Sequence, residues 1–314
     1  MNSFPLSILI CTYNRADILA ECLQSLTAQT AAIQDFEVIV VNNNSPDHTQ
    51  STAESFIGKV PNLRVVIEQE QGLCAARNRG YQEAKSEWVL YLDDDAKAST
   101  NMVERALWTI QHYPQYEVFG GVALPWYKYP KPHWYKESDV VTNQLPYQTV
   151  STLRGNQFAI GCIMVLHKPT LARFGGFNTV LGGMTADKIV YNDETELQNR
   201  MRKNGVQMAH DPELFVYHLV PRYKLNVDWF FKYAFINGRD LLQAKNINTN
   251  PFNLLLITFV AFGMMLAHLV IYTPRLLQKD YYIENWIIDV FRKIAKRVGI
   301  VYTALLRRGA QLGN

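Results

Sequence analysis

Short apolar runs and amphipathic stretches alternate along the first hundred residues. "LSILICTY", residues 6–13, is apolar and bounded by polar residues, which predicts a buried strand. In "NRADILAECLQSLTAQ" the apolar positions Ile18, Leu19, Cys22, Leu23 and Leu26 fall on one helical face. "FEVIVVNNNS" predicts a second strand ending in asparagines. "HTQSTAESFIGKV" predicts a helix on a weaker pattern, and "LRVVIEQ" a third strand. "GLCAARNRGYQEAK" predicts a third helix opened by a glycine. "EWVLYL" predicts a fourth strand, and it delivers Asp93, Asp94 and Asp95 in a row.

Strands that are apolar on both faces and alternate with helices predict an α/β fold with a mostly parallel central sheet flanked by helices. Ligands of such sheets bind beyond the carboxyl ends of the strands. Three polar clusters are expected on that rim: Thr12 to Arg15, Asn42 to Ser45, and Asp93 to Asp95. Past residue 100 the order is mixed. "MVERALWTIQHY" predicts a helix and "EVFGGVAL" a strand, followed by the long aromatic and basic loop "PWYKYPKPHWYKESD". "FAIGCIMVLH" and "ELFVYHLV" predict strands, and "DETELQNRMRKNG" a helix stopped by glycine. This half reads as a continuation of the first.

Composition narrows the picture. A chain of 314 residues with 48% hydrophobic content can build a sizeable core. A formal charge of +3 is too small to indicate nucleic-acid binding, and none is expected. Cys11, Cys22, Cys74 and Cys162 form no CxxC pair, so no zinc site is expected from spacing. Three of the four sit in apolar or helical patterns, and a reducing, cytosolic setting fits. The early apolar run lacks a basic leader and does not read as a secretory signal.

Six motifs in order then carry a resemblance: "ICTYNR", "VIVVNNNSPDHT", "GLCAARNRG", "YLDDDA", "FGGFN" and "DETELQNRMRKNG". From about residue 5 to about residue 240 the chain resembles a family 2 glycosyltransferase of the GT-A fold, the fold of nucleotide-diphospho-sugar transferases. The resemblance implies an inverting, metal-dependent sugar transferase with a catalytic domain over 1–245. Its donor would be a nucleotide-diphosphate sugar. Its acceptor would be a saccharide or a lipid-linked saccharide, in surface polysaccharide or glycoconjugate synthesis.

Asp93-Asp94-Asp95 then matches the DxD motif. Carboxylates repel a diphosphate unless a divalent cation stands between them, and Mg²⁺ or Mn²⁺ bridges carboxylates to phosphates. Asp95 is the expected direct ligand, with Asp93 and Asp94 near the metal or the ribose. Taken alone, the triad would read as a helix cap and a solvated acidic turn. Thr12, Tyr13 and Arg15 match nucleotide-edge residues, although Thr12 or Asn14 could equally cap a helix. Asn42 stands where similar enzymes carry aspartate; an amide oxygen still accepts a hydrogen bond, so the base is left open. Asn44 and Arg77 are expected at the nucleotide, Arg77 alternatively on a helix surface.

Glu194 takes the position of the catalytic base, with Asp193 beside it in an order inverted from the family's. A sugar hydroxyl is a poor nucleophile until its proton is removed, which is why a base is needed. Acidic residues also suit a helix's first turn. Glu196 could simply pair with Arg200, while Leu197 and Met201 face the core. His218 is a candidate metal ligand or a packed strand-end histidine, and Arg222 a candidate diphosphate contact. The aromatic loop is expected to expose rings for sugar stacking, or else to pack.

Residues 246–314 read as a helical, membrane-associating extension. The run 252–273 is long enough to span, which needs ~20 residues. Yet the segment after Pro274 carries Arg275, Lys279, Arg292, Lys293, Lys296, Arg297, Arg307 and Arg308, and these charges oppose its export. The last segment has helical apolar spacing and reads as an amphipathic surface helix. A peripheral or monotopic location on the cytoplasmic face of a membrane is therefore expected. Two rival readings are a catalytically decayed scaffold subunit of a glycan-assembly complex and a nucleotidyltransferase. "CTYNRADI" lacks the glycine-rich phosphate loop that the latter needs.

Overall fold

The computed structural model describes residues 4–137, 145–179, 193–244 and 250–312. The expected domain boundary at 245 and the side chains of Arg307 and Arg308 fall outside the described residues. These residues form two compact units. The first runs to Trp126 and resumes from 145 to Leu219. The second joins Tyr127–Glu137 to the chain from Val220 onward.

In the first unit, β1 (Leu6–Thr12), β2 (Phe36–Asn42), β3 (Leu63–Ile67) and β4 (Trp88–Leu92) lie parallel, with β1 between β2 and β4. Their apolar runs explain this: β2 is buried at every position and β1 at all but Cys11. Helices α1 (Ala16–Leu26), α2 (Thr49–Glu54) and α3 (Leu73–Glu83) connect them. α1 buries Leu19, Cys22, Leu23 and Leu26, the stripe that its spacing predicts. α2 is only six residues long, as its weak pattern suggests.

The sheet is parallel in this half and mixed in the other. After the short β5 (Ala96–Ala98) and α4 (Met102–His112) come β6 (Val118–Trp126), β7 (Ser151–Thr152) and β8 (Ile163–His167). α5 (Lys168–Arg173), α6 (Asp193–Lys203) and β9 (Met208–Leu219) complete the unit. β8 inserts antiparallel between β4 and β6, β6 and β9 run parallel, and β5 pairs antiparallel with β9. One apolar cluster lies on each face of the sheet, one against α1 and α4, the other against α3 and α6.

In the second unit, α7 (Val227–Ala244), α8 (Pro251–Tyr272) and α9 (Ile283–Leu312) pack together. α7 and α9 cross closely because Gly238 faces the carbonyl of Lys296 and Gly299 that of Phe235; a Cβ at either would collide with backbone. α8 runs antiparallel to α9, with Leu254 against Ile300 and Ala304, and His268 hydrogen-bonded to the Val290 carbonyl at 3.2 Å. The aromatic loop divides between its two expected readings. Trp134 and Tyr135 are only 8% and 4% exposed. They pack edge-on against Phe230 of α7, the packing alternative, whereas Tyr129 of the same loop is 43% exposed. Arg222 belongs to this unit, where its guanidinium lies over the Tyr129 ring.

Candidate active site

Two of the rim clusters, Thr12 to Arg15 and Asp93 to Asp95, join into one network, which the second cluster reaches at its flank. At the end of β1, the Thr12 hydroxyl donates to Asp94 at 2.8 Å. Arg15 Nη1 donates to Asp94 at 3.0 Å and to Asp95 at 3.2 Å. Burial pushes the Asp94 carboxyl up to about 6, with Arg15 opposing. Tyr13 is 38% exposed beside them, the geometry of a ring available for stacking.

The turn after β4 is closed by the Ala96 amide donating to the Asp93 carbonyl at 3.0 Å. The chain then enters β5, whose pairing sets Ala96 opposite His218 of β9. The Leu219 amide donates to the Asp95 carbonyl at 2.8 Å and fixes that register. His218 Nε2 consequently stands 3.1 Å from Asp95 Oδ1 and 3.9 Å from Asp93 Oδ2. Two carboxylates and an imidazole drawn from different strands are a donor set that suits Mn²⁺ or Mg²⁺. The residues present thus fit a divalent cation.

Arg77 binds the other side of the network. α3 packs its small face on the sheet, with Gly80 against Leu9 and Val41, and this drives the Arg77 side chain into the interior. Its side chain is only 4% exposed, so the helix-surface alternative fails. Arg77 Nη1 donates to Asp193 at 2.6 Å, and Nη2 lies 3.5 Å from Asp93. Glu194 Oε2 is 3.9 Å from Nη1. The guanidinium also lies over the Phe177 ring. Gly161 makes room for it: a Cβ there would stand 2.7 Å from Nη2.

Asp193 and Glu194 open α6, where the helix dipole favours acids. Leu197 and Met201 are buried beneath them, and Arg200 pairs with Glu196, as the spacing predicts. Gln198 anchors the helix by exchanging two 2.8 Å hydrogen bonds with the Ala159 backbone. The adjacent carboxyls are driven apart in proton affinity. Burial would raise Asp193, but the Arg77 guanidinium together with hydrogen bonds from Glu194 and Cys74 holds the carboxyl below the usual range. Burial, the hydrogen bond with Asp193 and the charge of Asp193 together push Glu194 well above it.

Asn42 is almost wholly buried, its oxygen accepting from the Ser45 amide at 3.0 Å and its Nδ2 donating to Gln50 at 2.8 Å. Asn44 turns the chain at φ 56°. Two organising residues escape sequence reasoning. Asn43 holds the loop before α3, donating to the carbonyls of Glu68 and Glu70 and accepting from the Gly72 amide. Asn78 clamps "FGGFN" through both the amide and the carbonyl of Phe177, each at 2.8 Å. The motifs "NNN" and "AARN" contain them, but only their backbone partners reveal the role.

A rim of carboxylates, a buried arginine and a strand-borne histidine stand on the sheet of a GT-A-like α/β protein. The sequence profile of glycosyl transferase family 2 matches residues 7–172, and the chain belongs to that family. The glycosyltransferase AglE of Haloferax volcanii is 37% identical over 105 residues, 33% of this chain and 34% of that protein. The cholesterol galactosyltransferase of Borreliella burgdorferi is 29% identical over 104 residues, 33% of this chain and 28% of that protein. The matched stretch spans about a third of the length of these curated relatives. Among solved structures, the mannosyltransferase PcManGT of Pyrobaculum calidifontis, in complex with GDP-Man and Mn²⁺, superposes with a TM-score of 0.56 at 18% identity. It covers 98% of this chain and 75% of its own. TarS 1-349 of S. aureus with UDP-GlcNAc gives 0.56 at 16% identity, covering 98% and 92%.

Proposed function

We propose that this chain is an inverting glycosyltransferase that moves a sugar from a nucleotide-diphosphate donor to a hydroxyl of a saccharide or lipid-linked acceptor. The observation that carries the reading is the unbroken network from Thr12 through Asp94, Arg15, Asp95, His218, Asp93 and Arg77 to Asp193 and Glu194. Thr12, Tyr13, Arg15 and Asn44 line the nucleotide end, and Asn42 braces it from below. Asp95, His218 and Asp93 would hold Mn²⁺ or Mg²⁺. That ion, when bound, supplies positive charge to the departing diphosphate. Glu194 takes the acceptor's proton as the oxygen attacks the anomeric carbon opposite the leaving group. Its raised proton affinity suits a base near neutral pH. Asp193, held ionised by Arg77, positions Glu194 and keeps that affinity high.

The test is thermal stabilisation by UDP and GDP, each with and without Mn²⁺, in the wild type and Asp95→Ala. Stabilisation by one nucleotide that needs Mn²⁺ and Asp95 is expected, growing with the logarithm of ligand concentration. Full transfer activity after all metal is stripped would sink the reading. Nucleotide binding without transfer to any acceptor would favour the scaffold alternative.

We further propose that α8 docks the enzyme on a membrane. Within Pro251–Leu277 an 18-residue stretch has a mean hydropathy of 2.5, and only 17% of it is buried. Phe252, Leu255, Phe259, Phe262, Leu266 and Val270 are exposed along α8. Its one buried stripe, at Leu254, Ala261 and His268, faces α9. Flotation with anionic vesicles tests this, and loss of flotation on Phe259→Asp with Phe262→Asp is expected.

A further inference from the structure

Asp93, Cys162 and His218 come from three separate parts of the chain: the turn after β4, the approach to β8, and β9. A carboxylate oxygen, the thiol sulfur and an imidazole nitrogen of these residues all lie within 4.8 Å of one another. The Asp93 amide donates to the Cys162 carbonyl at 3.4 Å, which pins the two residues side by side. Asp95 adds a carboxylate 3.1 Å from the same imidazole.

We propose that Cys162 gives the divalent-metal position a soft ligand, so that Asp93, Cys162 and His218 capture thiophilic ions such as Zn²⁺ and Cd²⁺ at the place where transfer needs a hard ion. Carboxylates suit Mg²⁺ and Mn²⁺, whereas thiolate and imidazole suit Zn²⁺ and its heavier congener. Zinc is held by four ligands in a tetrahedron, with sulfur at ~2.3 Å and nitrogen at ~2.0 Å. Ligand atoms around such an ion stand roughly 3.3–3.8 Å apart, so side-chain rotation of about 1 Å closes the present span. The three side chains supply three ligands, and a water would take the fourth position. Binding breaks the S–H bond and forms an S–metal bond; the proton passes to water and no electron is transferred. Cys22 supplies an internal contrast. Its sulfur lies 3.7 Å from the Asp93 carbonyl, on the backbone side, and takes no part in the cluster.

The inference rests on Asp93, Asp95 and His218 being metal ligands, and two readouts separate that reading from the role of Cys162. Metal-stripped full-length protein is titrated with Cd²⁺ while the ultraviolet thiolate-to-cadmium charge-transfer band is followed. Mn²⁺ binding is measured in parallel by loss of the free-ion electron paramagnetic resonance signal. The wild type is expected to show the band. Cys162→Ala is expected to lose it while keeping Mn²⁺ affinity within about twofold, since hard ions gain little from sulfur. Cys11→Ala and Cys22→Ala should keep the band, and His218→Ala should weaken both signals. Cadmium NMR of the wild type reads sulfur coordination directly, so the inference stays testable if Cys162→Ala folds poorly. A band that survives Cys162→Ala, or normal Mn²⁺ binding with no wild-type band and no sulfur-shifted cadmium resonance, overturns the inference. A Cys162-dependent cadmium band without Mn²⁺ binding would leave it standing and overturn the hard-metal reading instead.

Discussion

Replacing Arg77 by methionine should destabilise the catalytic unit strongly at neutral pH and much less in mild acid. Methionine keeps the aliphatic stem under Phe177 but removes the charge. Three carboxylates then lose their counter-ion, though not equally. Side-chain exposures of 35% for Asp93 and 28% for Glu194 let water replace much of what they lose. Asp193, 8% exposed and 2.6 Å from the guanidinium, cannot recover it. Breaking one buried pair costs about 3–5 kcal/mol, and the lower end applies here because the site opens on the sheet's rim. About 3 kcal/mol is a large share of the roughly 5–15 kcal/mol that holds a domain folded, yet it leaves the variant folded.

The pH dependence comes from Asp193. In the wild type its carboxyl lies below the unfolded value of 3.8, so its contribution is present above that value and is lost as pH falls through the lower, folded one. In Arg77→Met, burial is opposed only by the hydrogen bonds from Glu194 and Cys74, and the folded value is expected to rise above 3.8. The variant then gains stability from Asp193 as pH falls through that raised value, while the wild type gains none from this group. Urea unfolding of both proteins at pH 7.5 and pH 4.5 reads the difference. The gap should shrink to less than half between the two. A gap under ~1 kcal/mol at pH 7.5, or one that does not change with pH, would refute the claim that a buried Arg77–Asp193 pair organises the site.

Glu194→Gln should leave donor binding intact and reduce turnover by a factor on the order of 10² or more. If Asp193→Asn is the dead variant instead, the two acids have exchanged roles. Wild-type turnover should fall as pH drops through the raised Glu194 value, because only the ionised form accepts a proton, and this limb should vanish in Glu194→Gln. Gly161→Ala should push Arg77 Nη2 away from Asp93, costing about 1–3 kcal/mol by overpacking and weakening donor binding; unchanged stability and binding would show that the guanidinium has room to move.

How much of this was legible in the sequence depends on whether a residue's partner is local. β1, β2 and β4 were readable because short, mostly apolar stretches announce buried strands, and β3, buried only at Leu63, by its β-branched Val65, Val66 and Ile67. β5 was not, since Ala96-Lys97-Ala98 has no apolar pattern of its own and exists only by pairing with β9. That pairing is what brings His218 to Asp95, so the histidine's placement was beyond any periodicity argument. Resemblance nominated it, and geometry supplied its neighbours. Arg77 could be read as a surface residue because its neighbours Arg79 and Glu83 are polar; only the helix rotation imposed by Ala76 and Gly80 turns it inward. The aromatic loop was ambiguous in the opposite sense. Trp134 and Tyr135 look exposed among lysines and prolines, but α7 offers Phe230 to cover them. Cys162 escapes a search for zinc spacing because such spacing is sought along the chain, whereas its partners lie across the sheet.

Whether α8 crosses a bilayer or lies along one turns on α9. Hydropathy taken alone favours a span. But α8 is antiparallel to α9 along its length, Leu254 meeting Ala304 at one end and His268 meeting Val290 toward the other. A spanning α8 that kept these contacts would carry Arg292, Lys293, Lys296 and Arg297 into the bilayer beside its middle. Each charge there costs about 2.5–3.5 kcal/mol, so four cost on the order of 10 kcal/mol unless they snorkel. α9 is also tied to α7 by the close crossing at Gly238 and Gly299, so it cannot simply detach. Lying flat avoids the conflict. In that orientation the exposed apolar side chains of α8 would enter the acyl boundary, while Lys293 and Lys296, exposed on α9, would stay within reach of anionic headgroups. The same geometry gives His268 a reason to sit in an apolar helix. It is buried against α9, its Nδ1 paired with the Val290 carbonyl, so its ring faces the helix pair rather than the exposed apolar side of α8.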